Sequence, residues 1–143
     1  MNHLAIFGIG ATYNDSKKDV TEKFLKNGLV CIGHPEKSSE DPEDCSPSLH
    51  GLLRHIKAGD IVYIKSFNDK GLYIKAIGIF RVFEELSKDE ELGTCLHVKW
   101  LWIGPIVGPM KISDKYNVRW NALYEEYNPE VQKKIISLIP SPE

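Results

Sequence analysis

Hydrophobic positions gather into short runs, parted by polar stretches rich in glycine and proline. The central pair is Gly59-Asp60-Ile61-Val62-Tyr63-Ile64-Lys65-Ser66-Phe67 and Leu72-Tyr73-Ile74-Lys75-Ala76-Ile77-Gly78-Ile79-Phe80-Arg81-Val82, joined by Asn68-Asp69-Lys70-Gly71. Two runs dominated by β-branched and aromatic residues around a polar turn predict a strand hairpin. Residues 4–9 and 29–33 are short apolar runs that predict two earlier strands. Between them, Ser16 with Asp19 three residues on and Gly28 as a left-handed stop punctuate a helix, whose Val20 and Phe24 form its apolar stripe.

Further along, Ser46-Pro47 opens a second helix with Leu49, Leu52, Leu53 and Ile56 at i, i+3, i+4 and i+7, ending at Ala58-Gly59. Residues 34–44 are acidic and proline-punctuated, as an exposed loop would be, and residues 84–93 form a charged connection. Residues 94–103 return to β character. Trp100 and Trp102, two apart, are expected on one face of that strand. Gly104-Pro105 and Gly108-Pro109 are expected to break the chain. Asn128 caps and Pro129 begins a last helix with Val131, Ile135, Leu138 and Ile139 on one stripe, ended by Pro140. About five or six strands interleaved with about three helices, yet joined by hairpins, predict an α+β fold with a largely mixed sheet.

At 143 residues the length suits one domain, residues 1–143. No apolar run approaches the ~20 residues of a membrane span, and Met1-Asn2-His3-Leu4 lacks the order of an export signal. A cytoplasmic protein is expected. Cys31, Cys45 and Cys95 form an odd set without a CxxC pair, which suggests neither a disulfide framework nor a thiolate metal site. The formal charge of -2 weighs against tight, non-specific binding to a phosphate backbone. That average hides a segregation, because acidic residues crowd into 36–44 and 84–91 while Lys65, Lys75, Lys99 and Arg119 lie elsewhere.

Catalytic motifs are missing: no Gly-x-Ser-x-Gly, no His-Glu-x-x-His and no phosphate-cradling Gly-x-x-x-x-Gly-Lys-Ser/Thr occurs. Gly8-Ile9-Gly10 lacks the third glycine of a dinucleotide fingerprint. His50 and His55 lie too far apart around a helix to share a metal ion easily. Neither an enzyme, nor a cofactor, nor a metal site is expected. Aromatic residues are more suggestive, since Tyr13 follows the first strand, His34 the second and Phe67 ends the third, with Trp100 and Trp102 on a later one. Stacking a base on a ring contributes about 1 to 3 kcal/mol and tolerates any base. Thr12, Ser66 and Asn68 could supply polar groups for its edge.

Gly59-Asp60, Ser66, Ile77-Gly78-Ile79 and Val98-Lys99-Trp100 match, in order and approximate spacing, a pattern that resembles the PUA-like superfamily, in particular its EVE and YTH branches. The likeness covers roughly residues 4–103. It implies a strongly curved mixed sheet or open barrel, with a pocket for one flipped base. The resemblance places that pocket at Ala11, Thr12 and Tyr13, at Gly33 and His34, and at Ser66 and Phe67, with Lys65, Lys75, Lys99 and Arg119 along the nucleic-acid backbone. One departure stands out: Ile32-Gly33-His34 occupies the position where these families usually carry a tryptophan. The expectation is a non-catalytic module that holds a flipped, modified base of DNA or RNA in an aromatic cage, alone or with a nuclease partner. The alternatives are a nucleotide or small-molecule binder on the same fold, or an interaction module, such as a homodimer through Trp102, Trp120, Tyr124 or Tyr127.

Overall fold

The hairpin predicted at the centre of the chain is also the centre of the sheet. A computed structural model describes residues 5–13, 18–32, 55–81, 87–89, 93–116 and 123–140. Its strands are β1 (Ile6–Gly10), β2 (Thr12–Tyr13), β3 (Lys18–Asp19), β4 (Leu29–Cys31), β5 (Ile61–Asn68), β6 (Gly71–Phe80), β7 (Ser87–Asp89), β8 (Gly93–Met110) and β9 (Leu123–Glu125). Helices α1 (Thr21–Asn27) and α2 (Pro129–Leu138) accompany them, with a 3-10 turn at Asp114–Tyr116. The seven-stranded sheet runs β4-β8-β6-β5-β1-β9, with β7 also paired to β8. Among the described strands only β1 and β5 are parallel; every other pair is antiparallel, and β2 and β3 form a small sheet of their own.

Register shifts punctuate the β5–β6 and β6–β8 ladders. Each leaves one or two residues unmatched, which bends and further twists the strand, so the sheet curls. Alternation along the strands then sends side chains to two cores. Phe7, Ile9, Val62, Ile64, Ala76 and Phe80 pack on one face with Val20 and Phe24 of the α1 segment. Ile6, Ile61, Tyr63, Leu72, Ile74 and Ile77 pack on the other with Val131 and Ile135 of α2.

The α2 helix follows its sequence signals: the Asn128 side chain accepts a hydrogen bond from the Glu130 amide at 3.0 Å, and Pro129 opens the first turn. The α1 helix ends as expected on Gly28, in the left-handed conformation at φ 62°. Its start differs. Helix begins only at Thr21, with no side-chain cap from Val20, because residues 18 and 19 are drawn into the β2–β3 ladder. The Ser16 cap, most of the helix expected over 46–58, and the acidic loop over 36–44 lie outside the described residues.

Two further expectations are corrected. Gly104-Pro105 and Gly108-Pro109 do not end the strand; both are cis peptides within β8, which absorbs them by shifting register against β6. The cysteines are not idle thiols either, since Cys31 and Cys95 stand directly opposite in the β4–β8 ladder and are joined as a disulfide. Sequence counting missed this bridge because its partners are 64 positions apart and become neighbours only through strand pairing. No helix among the described residues is long and apolar enough to cross a membrane.

Candidate ligand-binding rim

Because β1 and β5 are parallel, with Gly10 opposite Lys65, their carboxyl ends lie at one end of the sheet. The chain leaving β1 passes Ala11, whose carbonyl accepts from the Val20 amide at 2.7 Å, and turns into β2. There Thr12 stands opposite Asp19 and Tyr13 opposite Lys18, so the segment expected to touch a ligand is laid beside the start of α1. Asp19 organises this corner. Its Oδ1 accepts from the Thr21 amide at 2.9 Å and from the Thr21 hydroxyl at 2.5 Å, while its Oδ2 accepts from Lys75 Nζ at 3.0 Å.

Lys75 reaches that carboxylate because it is the unmatched residue of a bulge. Ile64 pairs with Ala76 and Lys65 with Ile74, leaving Lys75 between a residue of each core and free to cross to the α1 side. Its ammonium also donates to Thr21 Oγ1 at 3.4 Å. The Lys75 side chain is 14% exposed and that of Asp19 53%. Burial opposes the Asp19 charge, but the hydrogen bonds from Thr21 and Lys75 outweigh it and hold the carboxyl below its ordinary pKa. Ser66 continues the Val62, Ile64 alternation onto the same face, opposite Tyr73. The exposed Asp19, the half-buried Thr21 and Lys75 that bond to it, the half-buried Ser66 and the backbone of Thr12 and Tyr13 therefore all lie toward one end of the curled sheet. Asp19 and Thr21 were missed in the sequence, where they read as part of a helical turn.

The expected aromatic wall does not assemble among the described residues. Trp100 packs with the α1-side core and donates its Nε1–H to the Phe24 carbonyl at 3.1 Å. Phe67 and Trp102 pack with the α2-side core instead. The shared face expected for Trp100 and Trp102 fails because β6 pairs Gly78 with Trp100 but Ile77 with Trp102. Leu101 is the extra residue of that bulge, and it reverses the alternation. Gly78 is needed beneath the indole, since a Cβ there would lie 2.9 Å from the Trp100 ring and 2.5 Å from Val98 Cγ1.

The cations separate in the same way. Lys65 is buried at 6% exposure on the α2 side, its ammonium 5.5 Å from the centre of the Tyr124 ring, and burial lowers its pKa to about 8. It is not a rim cation. Lys99 is exposed and paired with Ile79, away from Lys75. Gly33, His34 and Arg119 lie outside the described residues.

A second polar cluster lies under α2. Tyr63 donates to Glu126 Oε1 at 2.5 Å, which leaves Tyr124 to donate to the Tyr63 oxygen at 2.6 Å. Glu126 Oε2 accepts from the Asn128 amide at 2.9 Å, and its carbonyl accepts from the Gln132 side chain at 2.9 Å. Burial, first, and the neighbouring carboxylate push both tyrosines above the usual phenol range. Tyr124 is thus a latch inside the molecule, held over Gly8, where a Cβ would meet its ring at 2.4 Å. That removes it from the exposed aromatic patch expected from the sequence; Tyr127 is exposed, Trp102 half-buried, and Trp120 lies outside the described residues. An open groove of about 560 Å³ separates Val107 and Met110 of β8 from Lys133, Lys134 and Ser137 of α2, and none of the expected binding residues lines it. No cluster of three or more His, Cys, Asp or Glu side chains suited to a metal occurs among the described residues.

Set beside known protein families and curated proteins, the chain matches none.

Proposed function

We propose that this chain is a PUA-like domain of the EVE/YTH kind, a non-catalytic nucleic-acid-binding module that holds one flipped, modified base at the rim formed by Ser66, Lys75, Asp19, Thr21 and the β2 strand. The convergence of these polar groups at the carboxyl ends of the parallel β1–β5 pair is the observation that carries this reading. Ligand sites in sheets with parallel strands favour that end, where loops leave the sheet and their polar groups are not consumed by the ladder. In this reading Tyr13 and His34 supply the stacking surface, and a nuclease can be the partner that acts on what is held. A cytoplasmic setting belongs to the same proposal.

Fluorescence anisotropy of the full chain with single-stranded oligonucleotides, modified against unmodified, tests the idea. Wild type should discriminate, and Ser66→Ala and Lys75→Ala should each weaken binding by about tenfold, the loss of one charge-assisted or well-placed hydrogen bond. Equal and negligible binding throughout would sink it.

A free nucleotide or other small ligand is the second reading. The dispersal of Lys65, Lys75 and Lys99 favours it, because a long polyanion needs clustered cations. A salt series separates the two: affinity for a polyanion falls steeply with salt, and affinity for a small ligand does not.

A further inference from the structure

Resting on the base-holding reading of the same rim, we propose that the Asp19–Lys75 pair recognises the unsubstituted lactam edge of a base, the adjacent ring N–H and carbonyl that guanine and uracil present. An ionised carboxylate offers about four lone-pair positions and an ammonium three N–H donors. Asp19 Oδ1 already accepts two hydrogen bonds from Thr21, and Oδ2 accepts one from Lys75. Lys75 Nζ donates to Asp19 and to Thr21 Oγ1. Among the described residues this leaves one acceptor position on Oδ2 and one donor on Nζ, on atoms 3.0 Å apart. A donor and an acceptor side by side are the complement of an edge that carries an acceptor next to a donor.

The chemistry of the two groups selects among such edges. An ammonium bonds best to a carbonyl oxygen, and a carboxylate to the most acidic N–H available. A lactam supplies both, since its ring N–H is conjugated with the carbonyl, whereas adenine and cytosine offer a less acidic exocyclic amine. The pair is also preorganised: Thr21 pins the carboxylate from two sides, and the bulge in β6 carries the ammonium to it. Its charges cancel, so it suits a neutral base edge rather than a phosphate. A modification compatible with this geometry lies off the lactam edge.

The test uses the full chain and short single-stranded oligonucleotides that differ at one base: guanine, uracil, 1-methylguanine, 3-methyluracil, adenine or cytosine. Guanine or uracil should bind at least about tenfold more tightly than its N-methylated counterpart and than adenine and cytosine. Asp19→Asn, with its fold checked by circular dichroism, should lower lactam binding to the level of the methylated bases and leave adenine and cytosine unchanged. Adenine or cytosine bound as tightly as the lactam bases, or methylation without effect, overturns the lactam assignment while the base-holding function stands. Failure of all six bases to bind overturns the lactam assignment alone, and the base-holding function falls only if the modified oligonucleotides of the anisotropy assay fail as well.

Discussion

Lys65 gives the molecule a pH signature that can be worked from its burial. An unfolded lysine holds its proton up to about pH 10.5, whereas desolvation lowers the folded value to about 8. Between those limits the unfolded chain binds more protons, so raising the pH favours the folded state. At about 1.4 kcal/mol per unit, the full shift is worth about 3 kcal/mol, of which about 2 kcal/mol appears between pH 8 and 10. Tyr63 and Tyr124 work in the opposite sense. Their folded pKa values are raised, so the stability of keeping them neutral is present below pH 10 and is lost as the pH climbs further and the unfolded chain ionises. Wild type should therefore gain stability from pH 8 to 10 and turn over above it. Urea denaturation of wild type and Lys65→Met at intervals between pH 7 and 10 isolates the lysine, because every other titrating group cancels in the difference. The advantage of the methionine variant over wild type should shrink by about 2 kcal/mol across pH 8 to 10. Parallel curves for the two proteins would refute the claim that Lys65 carries its charge at a cost.

Three further outcomes follow from packing. Gly78→Ala forces a methyl group against the Lys99 carbonyl and the Trp100 ring, so a loss of about 1 to 3 kcal/mol and a shift in tryptophan fluorescence are expected on denaturation. Tyr63→Phe strips a partner from both Tyr124 and Glu126 and should cost about 1 to 3 kcal/mol, with amide exchange in α2 accelerating first; unchanged exchange there would discount the latch. Reduction of the Cys31–Cys95 bridge, which closes a span of 64 positions, should lower the melting temperature of wild type but leave a Cys31→Ser/Cys95→Ser variant unmoved.

What the sequence made legible is local. The hairpin turn between β5 and β6, the Gly28 stop and the Asn128-Pro129 opening of α2 depend on a few neighbouring residues, and all three stand where they were expected. What it hid depends on bulges and on partners distant in the chain. A period-two argument puts Trp100 with Trp102, but one unmatched residue reverses it. The same kind of insertion sends Lys75 to Asp19 while Lys65 turns inward, so like charges with similar spacing take opposite fates. The backbone of residues 12 and 13 leaves β1 at the end of the sheet toward which Ser66 of β5 lies. Asp19, which ties that corner together, looked like an ordinary helix-start residue.

The unmatched Leu101 in β8 has an evolutionary corollary. Since Gly78 pairs with Trp100 and Ile77 with Trp102, excision of Leu101 would leave both indoles facing the cores they now occupy. Excision of Lys99, by contrast, would slide Val98 and everything before it onto the wrong side. Homologues that differ in length between Val98 and Trp102 should therefore carry their gap at Leu101, a seam where the ribbon can shorten without turning inside out.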